Sequence, residues 1–411
     1  MQDQPFAFPK ATPQAALAVT DALIDPQSLD FICVAVSNWG VVSSVADYTI
    51  RGLAQRGHRV LVVEPFESVS SVIRMARIQK RSIGAKWGLR QVEPNIWAYR
   101  PLPLALPGQS RTPIAARLSG RLLALMVRRA AARLGFGRTC LWSFMYNSGS
   151  LLSHVPAALR IYENGDDDAA LARTDGQRHT VRILDAETCA TADLVMAVTE
   201  ELCAPRRVHN PQTYEVNCAA DVAFFGTALD PATEIPAAIA GLPHPVIGYF
   251  GGLDPWKIDI PLITEMARLR PNWSFAFVGY VWFGFDASAF DGLPNVHILG
   301  PQDYARLPGF MKGMDVGLMP FPLNDITRNG DALKCYEYLA AGLPVVGRNV
   351  PVARRLPQWV AIADTPGEFI AACEAQLAAP HSRADRNAAM AAHDWSVRVA
   401  QKLALIARHL P

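Results

Sequence analysis

Short apolar runs separated by helix-length segments recur along most of this 411-residue chain, and the series runs through twice. Runs of this kind, bounded by glycine, proline and asparagine, are strands buried on both faces. Their alternation with helices gives βαβ units and a parallel sheet. In the first series the strands are expected at Phe31–Val36, Val60–Val63, Asn95–Tyr99, Thr139–Met145, Ala158–Tyr162, Leu194–Val198 and Arg207–His209. In the second they are expected at Val246–Phe250, Ser274–Val278, Val296–Leu299, Val316–Met319, Pro344–Val346 and Val360–Ala363. The stretch Gly226–Pro245 is rich in proline, alanine and glycine and reads as a connection. The fold class is therefore α/β, two doubly wound Rossmann-like domains: 1–225, a linker at 226–244, and 245–396, with an amphipathic helix in 397–411. Two open parallel sheets bind ligands at the carboxyl ends of their strands, so a central cleft between them is the expected site.

The chain is too long for one ordinary core, and with 50% hydrophobic and 18% charged residues it is not a disordered polymer. Seven cysteines form no C-x-x-C pair, which favours buried reduced thiols over zinc or a disulfide framework. The segment Met1–Asp30 has no apolar signal core, and no apolar run reaches the roughly 18 residues of a membrane span. The expected location is cytoplasmic.

Two segments carry chemistry. In Ile247-Gly-Tyr-Phe-Gly-Gly-Leu-Asp-Pro-Trp-Lys257 a strand ends in Gly251 and Gly252, and Lys257 follows where a helix begins. Glycines let backbone approach a diphosphate, and the helix start and Lys257 add positive charge; a βα turn with a solvated lysine is the plainer alternative. The run lacks G-x-G-x-x-G spacing, which disfavours a dinucleotide-dependent dehydrogenase. In Asp315–Val346 a strand, a polar loop, a helix and another strand follow one another. Lys334 and Glu337 share one helix face there. A carboxylate so placed can accept both hydroxyls of a ribose, while Lys334 and the loop residue Arg328 can meet phosphates, and Thr327 beside it is a further donor-site candidate. An ordinary helix-surface ion pair is the plainer alternative.

These residues resemble the donor-binding region of GT-B glycosyltransferases, in particular the large retaining family 4. The likeness lies in the run from Leu318 through Arg328 and Lys334 to Val346, and in the Gly251–Lys257 loop. The resemblance implies that Glu337 binds the donor ribose and that Lys257 neutralises the diphosphate leaving group, with Lys334 and Arg328 nearby. It also implies a C-terminal helix that returns to the first domain, retention of anomeric configuration and no bound metal. Two positions depart from the family pattern: Asn329 stands where a second glutamate is common, and Gly252 where arginine is common.

In the first domain, Asn38, Trp39 and Gly40 follow the first strand, and Tyr162–Asp168 ends another. Asn38, Trp39, Asp166 and Asp167 are the candidates for acceptor binding and catalysis, with Asn147 behind them. A packed turn and a solvated acidic turn are the alternatives. The nine histidines form no metal-ligating cluster; the resemblance implies neither metal nor cofactor beyond a nucleotide-sugar substrate.

Charge is unevenly placed although the net charge is only +2. Between Ser68 and Tyr162 the only acidic residue is Glu93. Basic residues there include Arg74, Arg77, Lys80, Arg81, Lys86 and Arg90, and a helical stripe of Arg117, Arg121 and Arg128 beside Arg129 and Arg133. Such a surface suits anionic lipid heads and a lipid-linked saccharide acceptor, with a solvated basic face on a buried helix as the alternative. No nucleic-acid motif accompanies it. The expected activity is transfer of a sugar from a nucleotide-diphosphate sugar to a saccharide hydroxyl in envelope or exopolysaccharide synthesis, peripheral to the membrane. Alternatives are a nucleotide-sugar epimerase and a non-catalytic subunit of an assembly complex.

Overall fold

The computed structural model describes residues 28–40, 44–79, 87–109, 111–378 and 381–411. These form two compact units. One is Cys218–Arg398; the other joins the chain up to Asn217 with Val399–Pro411.

The N-terminal unit is built on β1 (Asp30–Val34), β2 (Val60–Val63), β3 (Gly88–Glu93), β4 (Ile96–Arg100), β5 (Thr139–Ser143), β6 (Leu159–Asn164), β7 (Leu194–Ala197) and β8 (Thr213–Glu215). The sheet order is β3-β4-β2-β1-β5-β6-β7-β8. Neighbours are parallel apart from the antiparallel β3–β4 pair. Alternate residues of β1 explain the continuous apolar pattern. Phe31 and Cys33 join a core with Ile50, Leu53 and the C-terminal helix residues Val399, Leu403 and Ile406. Ile32 and Val34 join the opposite core, with Leu123, Ala124 and Val127 of the helix Pro113–Arg133.

Two strands differ from expectation. The residues Arg207–His209 are not a strand. Thr199 caps the helix Glu200–Arg207, and the chain turns on Asn210 before β8 begins. β3 was not expected, because its residues are half-exposed and its alternation is weak. Its hairpin to β4 turns on Pro94 and Asn95, the latter at φ 62°, as a turn with proline first and asparagine second requires.

The C-terminal unit holds β9 (Val246–Phe250), β10 (Ser274–Val278), β11 (Val296–Gly300), β12 (Val316–Met319), β13 (Val345–Gly347) and β14 (Val360–Ile362), in the order β11-β10-β9-β12-β13-β14. Every pairing is parallel. Residues 226–244 are built into this unit rather than strung out as a connection. Ile239 is fully buried, and Lys312 Nζ donates to the carbonyls of Asp230, Pro231 and Thr233 at 2.7, 3.1 and 2.8 Å.

In each sheet the strand order reverses at one place, between β1 and β5 and between β9 and β12. In open α/β sheets the loops leaving the two central strands diverge at such a point, and ligands bind at the carboxyl ends of the strands there. Among the described residues no helix is long and apolar enough to cross a membrane.

Candidate functional site

The loops after β9 and β12 build the C-terminal site. β9 ends at Phe250, and Gly251 follows with φ 129°, a backbone region open to glycine. Its N–H donates to the Val278 carbonyl at 2.9 Å. The approach to the end of β10 is so close that a Cβ on Gly279 would lie 1.8 Å from the Gly251 oxygen. The loop then runs through Gly252 to Lys257, where Asp254 closes a turn with its carbonyl accepting from Lys257 N at 2.9 Å. Lys257 is half-buried, and its ammonium has no hydrogen-bond or ion-pair partner among the described residues.

The loop after β12 is fastened to the first by Asn324, whose Nδ2 donates to the Trp256 carbonyl at 2.8 Å. Asn324 also caps the short helix Asp325–Asn329, and Thr327 completes a reciprocal capping box. The Thr327 hydroxyl is thereby committed to backbone: it accepts from Asn324 N and donates to the Pro322 carbonyl. Its placement makes it a loop-shaping residue. Arg328 is exposed on the same helix.

The helix Leu333–Ala340 brings in Lys334 and Glu337. It lies tightly on β12 because Gly317 has no side chain; a Cβ there would stand 2.6 Å from the Tyr338 ring. The Tyr338 hydroxyl accepts from Phe250 N at 3.0 Å and so ties this helix to the end of β9. Asp331, ahead of the helix, is a buried anchor that the sequence reading missed. It accepts from Cys218 N at 2.7 Å, Arg355 at 2.9 Å and the Tyr336 hydroxyl at 3.1 Å.

Lys334 reaches back to Gly251, its Cε 3.2 Å from where a Cβ on that glycine would be. The ammonium lies 5.1 Å from the centre of the Tyr249 ring and 5.5 Å from that of Phe321. Glu337 is 5% exposed, and its carboxyl accepts no hydrogen bond from any described residue. Burial pushes its pKa up to about 8; Lys334 opposes the shift and Asp221 adds to it. A buried carboxyl without donors is costly, and a ligand bearing hydroxyls relieves that cost. The structure therefore sets Lys334 against Gly251 and Glu337 within the electrostatic reach of Lys334, with Gly252 and Lys257 further along the loop that Gly251 begins.

In the N-terminal unit the equivalent reversal of strand order lies beside Asn38 and Trp39. Trp39 N donates to Glu64 Oε1 at 3.1 Å, and the Arg51 guanidinium lies 4.6 Å from the centre of its indole. Glu64, at the end of β2, is buried and paired with Arg90 at 2.5 Å. Trp39 is thus a packed residue, while the half-buried Asn38 side chain has no hydrogen-bond partner among the described residues.

The three consecutive aspartates after β6 separate. Asp166 is exposed, and Asp167 accepts from Ala170 N at 3.1 Å to hold the turn. Asp168 turns inward and accepts from Asn164 Nδ2 at 3.2 Å. Burial, reinforced by Asp166 and Asp185, pushes its pKa up to about 7. Asn164 also donates to the Tyr162 hydroxyl at 3.1 Å, which donates to Asp185 at 2.6 Å. Sequence alone does not distinguish three neighbouring aspartates; the network at Asn164 does. Among the described residues no group of three or more His, Cys, Asp or Glu could hold a metal ion.

Of the basic stripe, Arg117 pairs with Glu187, whereas Arg121, Arg128, Arg129 and Arg133 are exposed on the helix Pro113–Arg133. Arg90 is held by Glu64. Lys80, Arg81 and Lys86 lie outside the described residues.

Residues 244–378 match the family described as Glycosyl transferases group 1. A Bacillus subtilis (strain 168) protein, TuaH, provisionally named a teichuronic acid biosynthesis glycosyltransferase, is 33% identical over 208 residues. That alignment covers 47% of this chain and 48% of TuaH, so the chain spans about half the length of this curated relative. Among solved structures, sucrose-phosphate synthase from Thermosynechococcus elongatus superposes with a TM-score of 0.68 at 14% identity, over 92% of this chain and 98% of that one. Anabaena Alr3699/HepE in complex with UDP and glucose gives 0.59 at 14% identity, over 91% and 98%. The fold shared with these chains is GT-B.

Proposed function

From a glycosyl transferases group 1 domain at residues 244–378 in a chain of GT-B fold, we propose that the protein is a glycosyltransferase. It transfers a sugar from a nucleotide-diphosphate sugar to a hydroxyl of a saccharide acceptor. The observation that carries this reading is Glu337. It is a carboxyl buried to 5% exposure without a hydrogen-bond donor, on one helix face with Lys334, which reaches Gly251. The two hydroxyls of a ribose supply the missing donors. The diphosphate then lies toward Gly251–Gly252, with Lys257, Lys334 and Arg328 as its cations.

The reaction breaks the bond between the anomeric carbon and the diphosphate oxygen. The acceptor oxygen forms the new bond, and its proton leaves with the nucleoside diphosphate. Charge builds on the departing oxygen, and cations fixed beside it lower the barrier more than they stabilise the bound donor. Resemblance to retaining enzymes supports retention of configuration. Asn38 and Asp168 of the N-terminal unit are assigned to the acceptor.

The HepE complex with UDP and glucose supports a nucleotide-sugar donor, and the name of TuaH supports an envelope polysaccharide as product. A lipid-linked acceptor fits the exposed arginines of the helix Pro113–Arg133, together with Ile114, Leu118 and Leu125, which are 68%, 45% and 51% exposed on it. A basic and apolar surface of this kind favours an anionic membrane, and a peripheral cytoplasmic enzyme follows. The test is turnover. Donor sugars are offered with and without a membrane extract carrying lipid-linked saccharides, and nucleoside diphosphate and glycolipid are measured. Release of diphosphate with a new glycolipid supports transfer; conversion of the donor without acceptor would instead identify an epimerase.

A further inference from the structure

Gly252 is the second residue of the Gly251–Lys257 loop, yet nothing in its own backbone demands glycine, because its φ is not positive. The reason is Trp282. A Cβ on Gly252 would lie 2.4 Å from Trp282 Nε1 and 2.9 Å from its Cδ1. The indole thus occupies the space into which any side chain at 252 would project.

The tryptophan is brought there by a short ladder between the two loops. Leu253 N donates to the Tyr280 carbonyl at 2.7 Å, and Trp282 N donates to the Leu253 carbonyl at 3.0 Å. Leu253 and Val281 form a parallel bridge. The ring is 59% exposed, and its N–H has no acceptor among the described residues. Its place in the sequence, in a loop after β10, gives no hint of this contact.

On the donor-site reading above, we infer that Trp282 is a further donor-binding residue, its indole N–H donating to an oxygen of the diphosphate from the slot left open by Gly252. An indole is a neutral donor with fixed direction, so it adds geometry to the site while Lys257, Lys334 and Arg328 add charge. The glycine and the tryptophan then work as a pair: one leaves the space and the other fills it.

Calorimetric titration of a nucleoside diphosphate, its monophosphate and its sugar conjugate tests this on wild type, Trp282→Phe, Gly252→Ala and the double variant. Thermal unfolding runs alongside. A hydrogen bond to a charged group is worth about 1.5–3 kcal/mol, or roughly a 10- to 150-fold change in affinity. Trp282→Phe keeps the ring and is expected to lose about that factor for diphosphate and sugar conjugate, with the monophosphate within about threefold. Gly252→Ala is expected to do the same by displacing the indole, and the double variant to lose no more than either single one. Full diphosphate affinity in a folded Trp282→Phe would overturn the inference and leave the donor site standing. So would equal losses for monophosphate and diphosphate, or additive losses in the double variant. Absence of diphosphate binding by the wild type would overturn both.

Discussion

Lys402 on the C-terminal helix and Glu163 at the end of β6 form an ion pair of 2.7 Å, with side chains only 1% and 2% exposed. Lys402 also donates to the Thr49 hydroxyl at 2.7 Å, and its ammonium lies 5.7 Å from the centre of the Trp142 ring. One contact therefore joins the C-terminal helix to the helix Val45–Gln55 and the sheet within the N-terminal unit. Removing one partner strands the other charge in the core, at a cost of about 3–5 kcal/mol. Lys402→Met alone is expected to lose about that much in chemical denaturation. Lys402→Met with Glu163→Gln is expected to recover most of it.

Glu337 makes ligand-free stability depend on pH. Its carboxyl is near 4.5 when unfolded and about 8 when folded. The native state therefore holds a proton that the unfolded chain gives up between these values. Its contribution is fully present below 4.5 and is lost as pH rises through 8. Glu337→Gln cannot ionise, so it is expected to melt higher than wild type at pH values above ~8 and to match it at about pH 4–5. Melting curves across pH check this. A variant that is more stable yet binds no nucleotide is the trade between stability and function expected of a site residue.

The aspartates after β6 are expected to act unequally. Asp168 is the one held inward by Asn164, with its pKa pushed up to about 7. Asp168→Asn is expected to lower transfer by ~10–100-fold, while Asp166→Asn stays within about twofold. Initial rates at saturating donor decide this, because a donor-side defect would appear in the donor KM instead.

Vesicle binding tests the basic helix. Four exposed arginines at roughly 1 kcal/mol each are enough for salt-sensitive attachment to anionic lipid. Changing Arg121, Arg128, Arg129 and Arg133 to glutamate is expected to cut sedimentation with phosphatidylglycerol vesicles by more than ~10-fold. Phosphatidylcholine vesicles should bind neither form. Equal binding to both lipids by the unaltered protein would contradict an electrostatic surface.

The strands legible in the sequence were those buried on both faces. Val60–Val63, Val246–Phe250, Ser274–Val278 and Val316–Met319 begin and end in the structure where their apolar runs do. The half-exposed edge strand β3 has no such run, and the valine in Arg207–His209 suggested a strand where the capping of Thr199 and the turn at Asn210 decide otherwise. Gly251, Lys334 and Glu337 could be picked out because glycine, lysine and glutamate sit at a strand end and on one helix face. Asp331, Asp168 and Trp282 could not. Each owes its place to contacts with residues distant in sequence, such as Cys218 and Arg355 around Asp331, and no local spacing encodes those contacts. Thr327 looked like a donor-site residue for the reason that it caps a helix: a hydroxyl in a polar loop serves either role.

The most direct measurement is calorimetric binding of UDP, GDP, ADP and their sugar conjugates to the wild type and to Glu337→Ala. The account predicts a clear preference for one nucleoside diphosphate in the wild type, and its loss in a folded Glu337→Ala. No binding by the wild type across the panel, or full affinity in Glu337→Ala, would contradict a donor site built on that carboxyl.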